Sequence, residues 1–285
     1  MESAVNTVTN NVLSAKKIRS RYRKCLNEIA NSFSEPDNTN EEYVHDLRVN
    51  LKRVDALIDL LKNTGHKLSA GKLKSFKTLF RIAGKLRAIQ VEFNVINSHF
   101  TDDSFNTNYL HQLHEVKTKR LREYTKCLGS GIPRSLKEDT KLLKKRMEQL
   151  TRKNILRYLK AERKKLGKRL RRSIYREQDL HFIRKGLKRY YLNSKTAEYN
   201  NERIERMLDL LGAWHDHQIA FDHIVKTIYT GQLTEPESEP IKQIKYDLIN
   251  DKERLYEKIV AYYAEALQDI NAGLTFAGKE LERQT

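Results

Sequence analysis

The chain of 285 residues contains only 4 prolines and 11 glycines. A β-sandwich or barrel turns every ten residues or so and draws on those two residue types at its turns, so their scarcity excludes a many-stranded fold. Cysteine is nearly absent as well: Cys25 and Cys127 lie far apart, without disulfide-framework or metal-ligand spacing. Both fall in helical periodic segments and read as small core residues in a reducing compartment. No run approaches the ~18 apolar residues of a membrane-spanning helix, and Met1 to Asn11 lacks the basic segment and apolar stretch of a secretory signal. The expectation is a cytoplasmic protein with no membrane association. Acidic residues are too few to balance the basic ones, 37 against 55, which leaves a formal charge of +18. A standing excess of that size calls for an anionic partner.

What is present in quantity is helix-forming sequence. Hydrophobic residues make up 39% of the chain, enough for a substantial core in one large or two medium domains. Apolar residues recur at helical spacing over 8–33, 41–62, 68–99 and 107–128, then over 136–172 with a break near Thr151, 175–194, 200–230 and 237–273. Turn and capping residues separate these stretches at 34–38, Thr64-Gly65, 101–104, 129–133 and 231–236, and the tail after Gly273 is expected to fray. The reading is all-α, with about four helices in each half: a first bundle over 1–135 and a second over 136–285.

A sequence repeat supports the division. His45-Asp-Leu-Arg48-Val-Asn-Leu-Lys52-Arg53 recurs as His181-Phe-Ile-Arg184-Lys-Gly-Leu-Lys188-Arg189, at one constant offset close to half the chain. Internal duplication is the economical explanation. A helix turns by ~100° per residue, so with His45 at the origin Arg48 falls at ~300°, Lys52 at ~340° and Arg53 at ~80°. Val44, Leu47, Leu51, Val54, Leu57, Ile58 and Leu61 take the opposite side, so a cationic stripe backs an apolar one. Stacked like charges destabilise a helix by a few tenths of a kcal/mol per pair, and a partner must supply the missing anion. Phosphate suits the set: guanidinium offers a bidentate fork, lysine a point charge and imidazole a further donor, itself driven toward imidazolium beside the anion. The bland alternative is a solvated helix face, which the second copy weakens.

Charge is also concentrated elsewhere. From Lys141 to Arg172 there are 15 basic and two acidic residues, while Ile155, Leu159, Leu166 and Leu170 form a narrow apolar stripe. Arg19, Arg23, Arg87, Arg157, Lys160, Lys164 and Lys168 are further candidate anion contacts. From Glu235 onward 11 acidic residues face 7 basic ones, which suits an outer wall turned to water.

The doubled histidine helix resembles the CHAD family, the conserved histidine α-helical domain, and Leu211-Gly212-Ala213-Trp214-His215-Asp216 is similar to the Leu-Gly-x-x-x-Asp helix that follows it in each repeat. The resemblance spans about 8–263. It implies two four-helix bundles related by a pseudo-twofold, together one CHAD-like domain, with a basic central groove or pore that holds inorganic polyphosphate. Carried over residue by residue, His45, Arg48, Lys52 and Arg53 line one side, and His181, Arg184, Lys188 and Arg189 the other. The resemblance leaves association with polyphosphate granules open. Departures are Asp55 and Tyr191, where many members carry another arginine, and the first-half counterpart of the second motif, Ala83-Gly84-Lys85-Leu86-Arg87-Ala88-Ile89-Gln90, which has lost both acidic positions. The first half is therefore the candidate weaker side.

His111 with His114, and Trp214-His215-Asp216-His217, lack a recognised zinc spacing and read as exposed helix-face histidines; no metal and no cofactor are expected. There is no glycine-rich phosphate loop, no G-x-S-x-G and no carboxylate set on a basic face for magnesium, so no catalytic residue is assigned and turnover is not expected. Two other readings stay open. A histidine phosphotransfer bundle would use His45 or His181 as the phosphoaccepting nucleophile. A nucleic-acid-binding protein would explain the charge, although no helix-turn-helix or aromatic stacking platform is visible, and Tyr158, Tyr190 and Tyr191 read as core or rim.

Overall fold

The computed structural model describes residues 14–33, 39–65, 68, 73–99, 108–170, 177–197, 201–230 and 235–282. Among these it contains nine α-helices and no strand: α1 (Ala15–Asn31), α2 (Glu41–Asn63), α3 (Lys74–Asn97), α4 (Asn108–Leu128), α5 (Ile132–Met147), α6 (Arg152–Leu170), α7 (Glu177–Thr196), α8 (Glu202–Tyr229) and α9 (Glu235–Glu282). The helical residues expected at 8–13, 69–72, 107, 171–172, 175–176 and 200 lie outside the described residues, as do the turns at 34–38, 101–104 and 231–234.

The helix ends follow local chemistry. Asn40 accepts a hydrogen bond from the Tyr43 N–H at 2.7 Å and Asn201 one from Ile204 at 2.9 Å, which satisfies donors that the first turn of α2 and of α8 leaves unpaired. Gly65, at φ 89°, supplies the left-handed residue that ends α2. The break near Thr151 is a helix boundary: Thr151 accepts from the Asn154 N–H at 3.2 Å and starts α6 afresh.

Two expected ends move. Helix α3 begins at Lys74 rather than near Leu68, because Asp139 of α5 accepts from the backbone N–H groups of Leu73 (3.2 Å) and Ser75 (3.3 Å) and from the Ser75 hydroxyl. That cap comes from a distant helix and holds buried Leu73 at φ 71°. Helix α9 runs through Gly273 to Glu282 instead of fraying there. Each of the two glycines there, Gly273 and Gly278, costs a helix only about 1 kcal/mol relative to alanine, and Ala272, Leu274, Ala277, Lys279, Glu280 and Leu281 around them are strong helix formers.

Packing couples α1 to α2, α2 to α3 and α3 to α4; in the second half α6 packs on α7, α7 on α8, and α8 on α9. Helix α5 packs against α1 and α3, and the 135/136 division falls inside it. Across the middle, α2 lies against α7 and α3 against α8. The buried apolar side chains form one cluster drawn from all nine helices. On α2, six of the seven expected core residues are buried and Ile58 packs against them, while Ala56 and Leu60 are buried as well because α7 covers a further face. Cys25 and Cys127 are buried free thiols, and burial pushes Cys25 up to about 12, where it is chemically inert. No helix among the described residues is long and apolar enough to cross a membrane.

Candidate functional site: a cationic cluster between α2, α3, α7 and α8

The four central helices bring together Arg48 and Lys52 of α2, Arg87 of α3, and Arg184 and Lys188 of α7. Their proximity registers in the ionisation of Arg48, Lys52 and Lys188. Burial, and then Arg48, Lys188 and Arg184, push the Lys52 ammonium from its usual 10.5 down to about 8. Burial followed by Arg87 and Arg184 lowers Arg48. Burial also lowers Arg184 against the pull of Asp216, and lowers Lys188 against the pull of Asp209 and Glu205. Asp216 of α8 lies among Arg184, Lys52 and Arg87, yet burial still raises its carboxyl above the usual range. The buried Nε of Arg184 has no hydrogen-bond partner among the described residues. A buried guanidinium donor left unpaired costs free energy.

The histidines sit at the margin of this cluster. His45 is exposed at the start of α2, and desolvation followed by Arg87 lowers its pKa. The ring centroids of His181 and His215 are 5.1 Å apart. His215 is half-buried rather than exposed, and burial, then Arg184 and His181, push it down to about 4. Burial first, and neighbouring cations second, bias all three histidines toward neutral imidazole.

Arg48 owes its position to a missing side chain. Its Nη1 donates to the Phe80 carbonyl at 3.0 Å, and its guanidinium lies 4.8 Å from the centre of the Phe80 ring. A Cβ on Gly84 would stand 2.6 Å from that Nη1, so glycine lets the guanidinium lie directly on α3. Gly212, at the matching position of α8, has nothing within 4 Å of such a Cβ.

Other sequence candidates lie elsewhere. Arg53 donates to Asn50 Oδ1 at 2.9 Å and lines cavities shared with Glu28, Asp46, Tyr22 and Cys25, away from the five clustered cations. Arg189 faces Asp59 at 3.4 Å and Asp55 at 4.0 Å. Asp55 thus fills an arginine position of the family pattern with a counter-charge for the second half. Arg19 donates to the carbonyls of Glu148 (3.3 Å) and Leu150 (2.8 Å), and Arg23 pairs with the Glu148 carboxylate, so both tie α1 to the end of α5. Arg157, Lys160, Lys164 and Lys168 share the face of α6 opposite its buried residues; all but the half-buried Lys160 are exposed. Of the additional candidates only Arg87, 3.9 Å from Glu41, reaches the cluster. Sequence reasoning missed His215 as a member; its place beside Asp216 in the second motif was the available signal.

The sequence profile of the CHAD domain matches residues 20–225, most of the chain, with α2, α3, α7 and most of α8. The chain belongs to the CHAD domain family. Two solved structures share its fold. The crystal structure of the CHAD domain from the plant Ricinus communis superposes with a TM-score of 0.72 at 13% identity, covering 89% of this chain and 92% of that one. PptA from Streptomyces chartreusis gives 0.67 at 12% identity, covering 90% and 99%. No curated protein sequence matches the chain significantly.

Proposed function

We propose that this CHAD protein binds inorganic polyphosphate in a cationic cleft formed by α2, α3, α7 and α8, without turning it over. The observation that carries the reading is the gathering of Arg184, Lys52 and Arg87 about the Asp216 carboxylate, with Arg48 and Lys188 beside Lys52, at sites where burial lowers the pKa of Arg48, Lys52, Arg184 and Lys188. A flexible chain with one anion per repeating unit relieves several cations at once, and guanidinium pairs bind phosphoryl oxygens bidentately. The constant-offset repeat and the recurring helix neighbours support an origin by duplication, with two four-helix units related by a pseudo-twofold and α5 attached to the first. His45, His181 and His215 serve as rim donors. A binding role without chemistry is favoured because Asp216 lies among Arg184, Lys52 and Arg87, cations that compete with magnesium for its carboxylate.

The test is a titration with polyphosphates of defined length beside RNA of matched charge and salt. Arg48→Ala with Arg184→Ala is expected to weaken polyphosphate binding by well over tenfold while helical content is retained. Wild-type affinity in that double variant, or equal preference for RNA, overturns the reading.

A further inference from the structure

We propose that His99, His217 and Asp251 form a binding site for one divalent transition-metal ion of the zinc type. This stands apart from the polyphosphate reading. The three residues come from three places in the chain: His99 just beyond the end of α3, His217 on α8 and Asp251 on α9. Asp251 Oδ2 lies 3.6 Å from His99 Nε2 and 3.7 Å from His217 Nε2, and the three ligand atoms lie within 4.8 Å of one another. Zinc sits roughly 2.0–2.1 Å from nitrogen and oxygen ligands in a tetrahedron, whose edges are therefore about 3.4 Å. Two of the three edges are within a few tenths of an ångström of closure.

The surrounding contacts orient the ligands. His217 Nδ1 is 2.9 Å from the Ala213 carbonyl. A carbonyl only accepts, so Nδ1 carries the proton and the Nε2 lone pair is turned toward Asp251 and His99. Arg254 binds the other carboxylate oxygen, Oδ1, leaving Oδ2 for the histidines. Asp251 therefore has a cationic partner already, and two imidazoles on its remaining oxygen exceed what charge balance needs. Side-chain exposures of 15%, 22% and 26% shelter the group without sealing it from solvent. Two imidazoles with one carboxylate select zinc, cobalt, nickel or copper over calcium or magnesium. A bound ion would staple the end of α3 to α8 and α9.

The experiment uses the full chain, stripped with a chelator and titrated with Zn²⁺ alone and with Co²⁺ alone. The expected results are one equivalent bound, tetrahedral Co²⁺ absorption bands, and a melting temperature raised by roughly 5 °C at a hundredfold excess over Kd. Asp251→Asn, which keeps the shape of the side chain, and His99→Ala are each expected to lower affinity about a hundredfold or more, at least the loss seen when supporting residues around a metal are removed. Both are expected to lose the thermal shift while His111→Ala with His114→Ala keeps it. No stoichiometric binding of either ion overturns the proposal. So does stoichiometric binding that both ligand variants leave intact and that His181→Ala with His215→Ala removes.

Discussion

At neutral pH a lysine pushed down to about 8 is still mostly charged, and Lys52 holds that charge beside Arg48, Lys188 and Arg184 with burial as the largest penalty. The folded value lies below the unfolded 10.5, so the folded protein binds this proton more weakly than the unfolded chain does. Lys52 therefore destabilises the unliganded fold at pH values below about 8, and the penalty is relieved as pH rises from about 8 toward 10.5. Lys52→Met removes it and is expected to stabilise the unliganded protein by about 1–3 kcal/mol at pH 7, read as a higher urea midpoint at unchanged slope. The same variant is expected to bind polyphosphate at least fivefold more weakly. In the wild type, affinity is expected to fall between pH 7 and 9 as Lys52 loses its proton, and Lys52→Arg to flatten that fall. A Lys52→Met protein less stable than wild type would contradict the account.

Where α2 crosses α7, the side chains that look like ligand-binding cations are consumed by the fold. Tyr158 donates to Asp59 at 2.7 Å; Asn193 donates to Tyr158 at 3.1 Å and to the Ala56 carbonyl at 3.0 Å, and accepts from Tyr22. Arg189 closes the network on the other oxygen of Asp59. Asp59→Ala leaves the Tyr158 hydroxyl without its acceptor and Arg189 with only the more distant Asp55, and is expected to cost about 2 kcal/mol, with polyphosphate affinity changed less than threefold. An affinity loss matching that of the arginine double variant would instead put Arg189 in the binding site. This crossing also marks the limit of what could be read in advance. The cationic and apolar stripes of α2 were legible because helical periodicity fixes which residues share a face, and the repeat pointed to α7 as the partner copy. Arg53 was grouped with the cluster because it lies less than a quarter turn from His45 on a projected wheel, but in the packed structure that rotation turns it toward α1. The Asp139 cap on α3 and the meeting of His217 with His99 and Asp251 depend on contacts between distant helices, and nothing in local spacing encodes them. Tyr158, Tyr190 and Tyr191 are buried, as their residue type and amphipathic setting suggested.

Over the whole molecule the +18 is unevenly held. The central cluster has five cations, α6 contributes nine basic residues against one acidic, and the end of the chain is net acidic. An anion short enough to lie among Arg48, Lys52, Arg87, Arg184 and Lys188 displaces counterions from that cluster alone. With the single-strand coefficient of about 0.7 per neutralised charge, log affinity against log salt is expected to fall with a slope near −3 to −4. A long chain extends beyond the cluster into the field of the rest of the molecule, where exposed Arg157, Lys164 and Lys168 line the outer face of α6. Its slope is expected to be steeper. Arg157→Glu with Lys164→Glu separates the two regimes, because neither residue belongs to the central cluster. Short-chain affinity is expected to stay within twofold of wild type, while the long-chain slope becomes shallower by about 1 to 2. Equal loss for short and long chains would mean that the α6 stripe, rather than the α2–α3–α7–α8 cluster, is the primary grip.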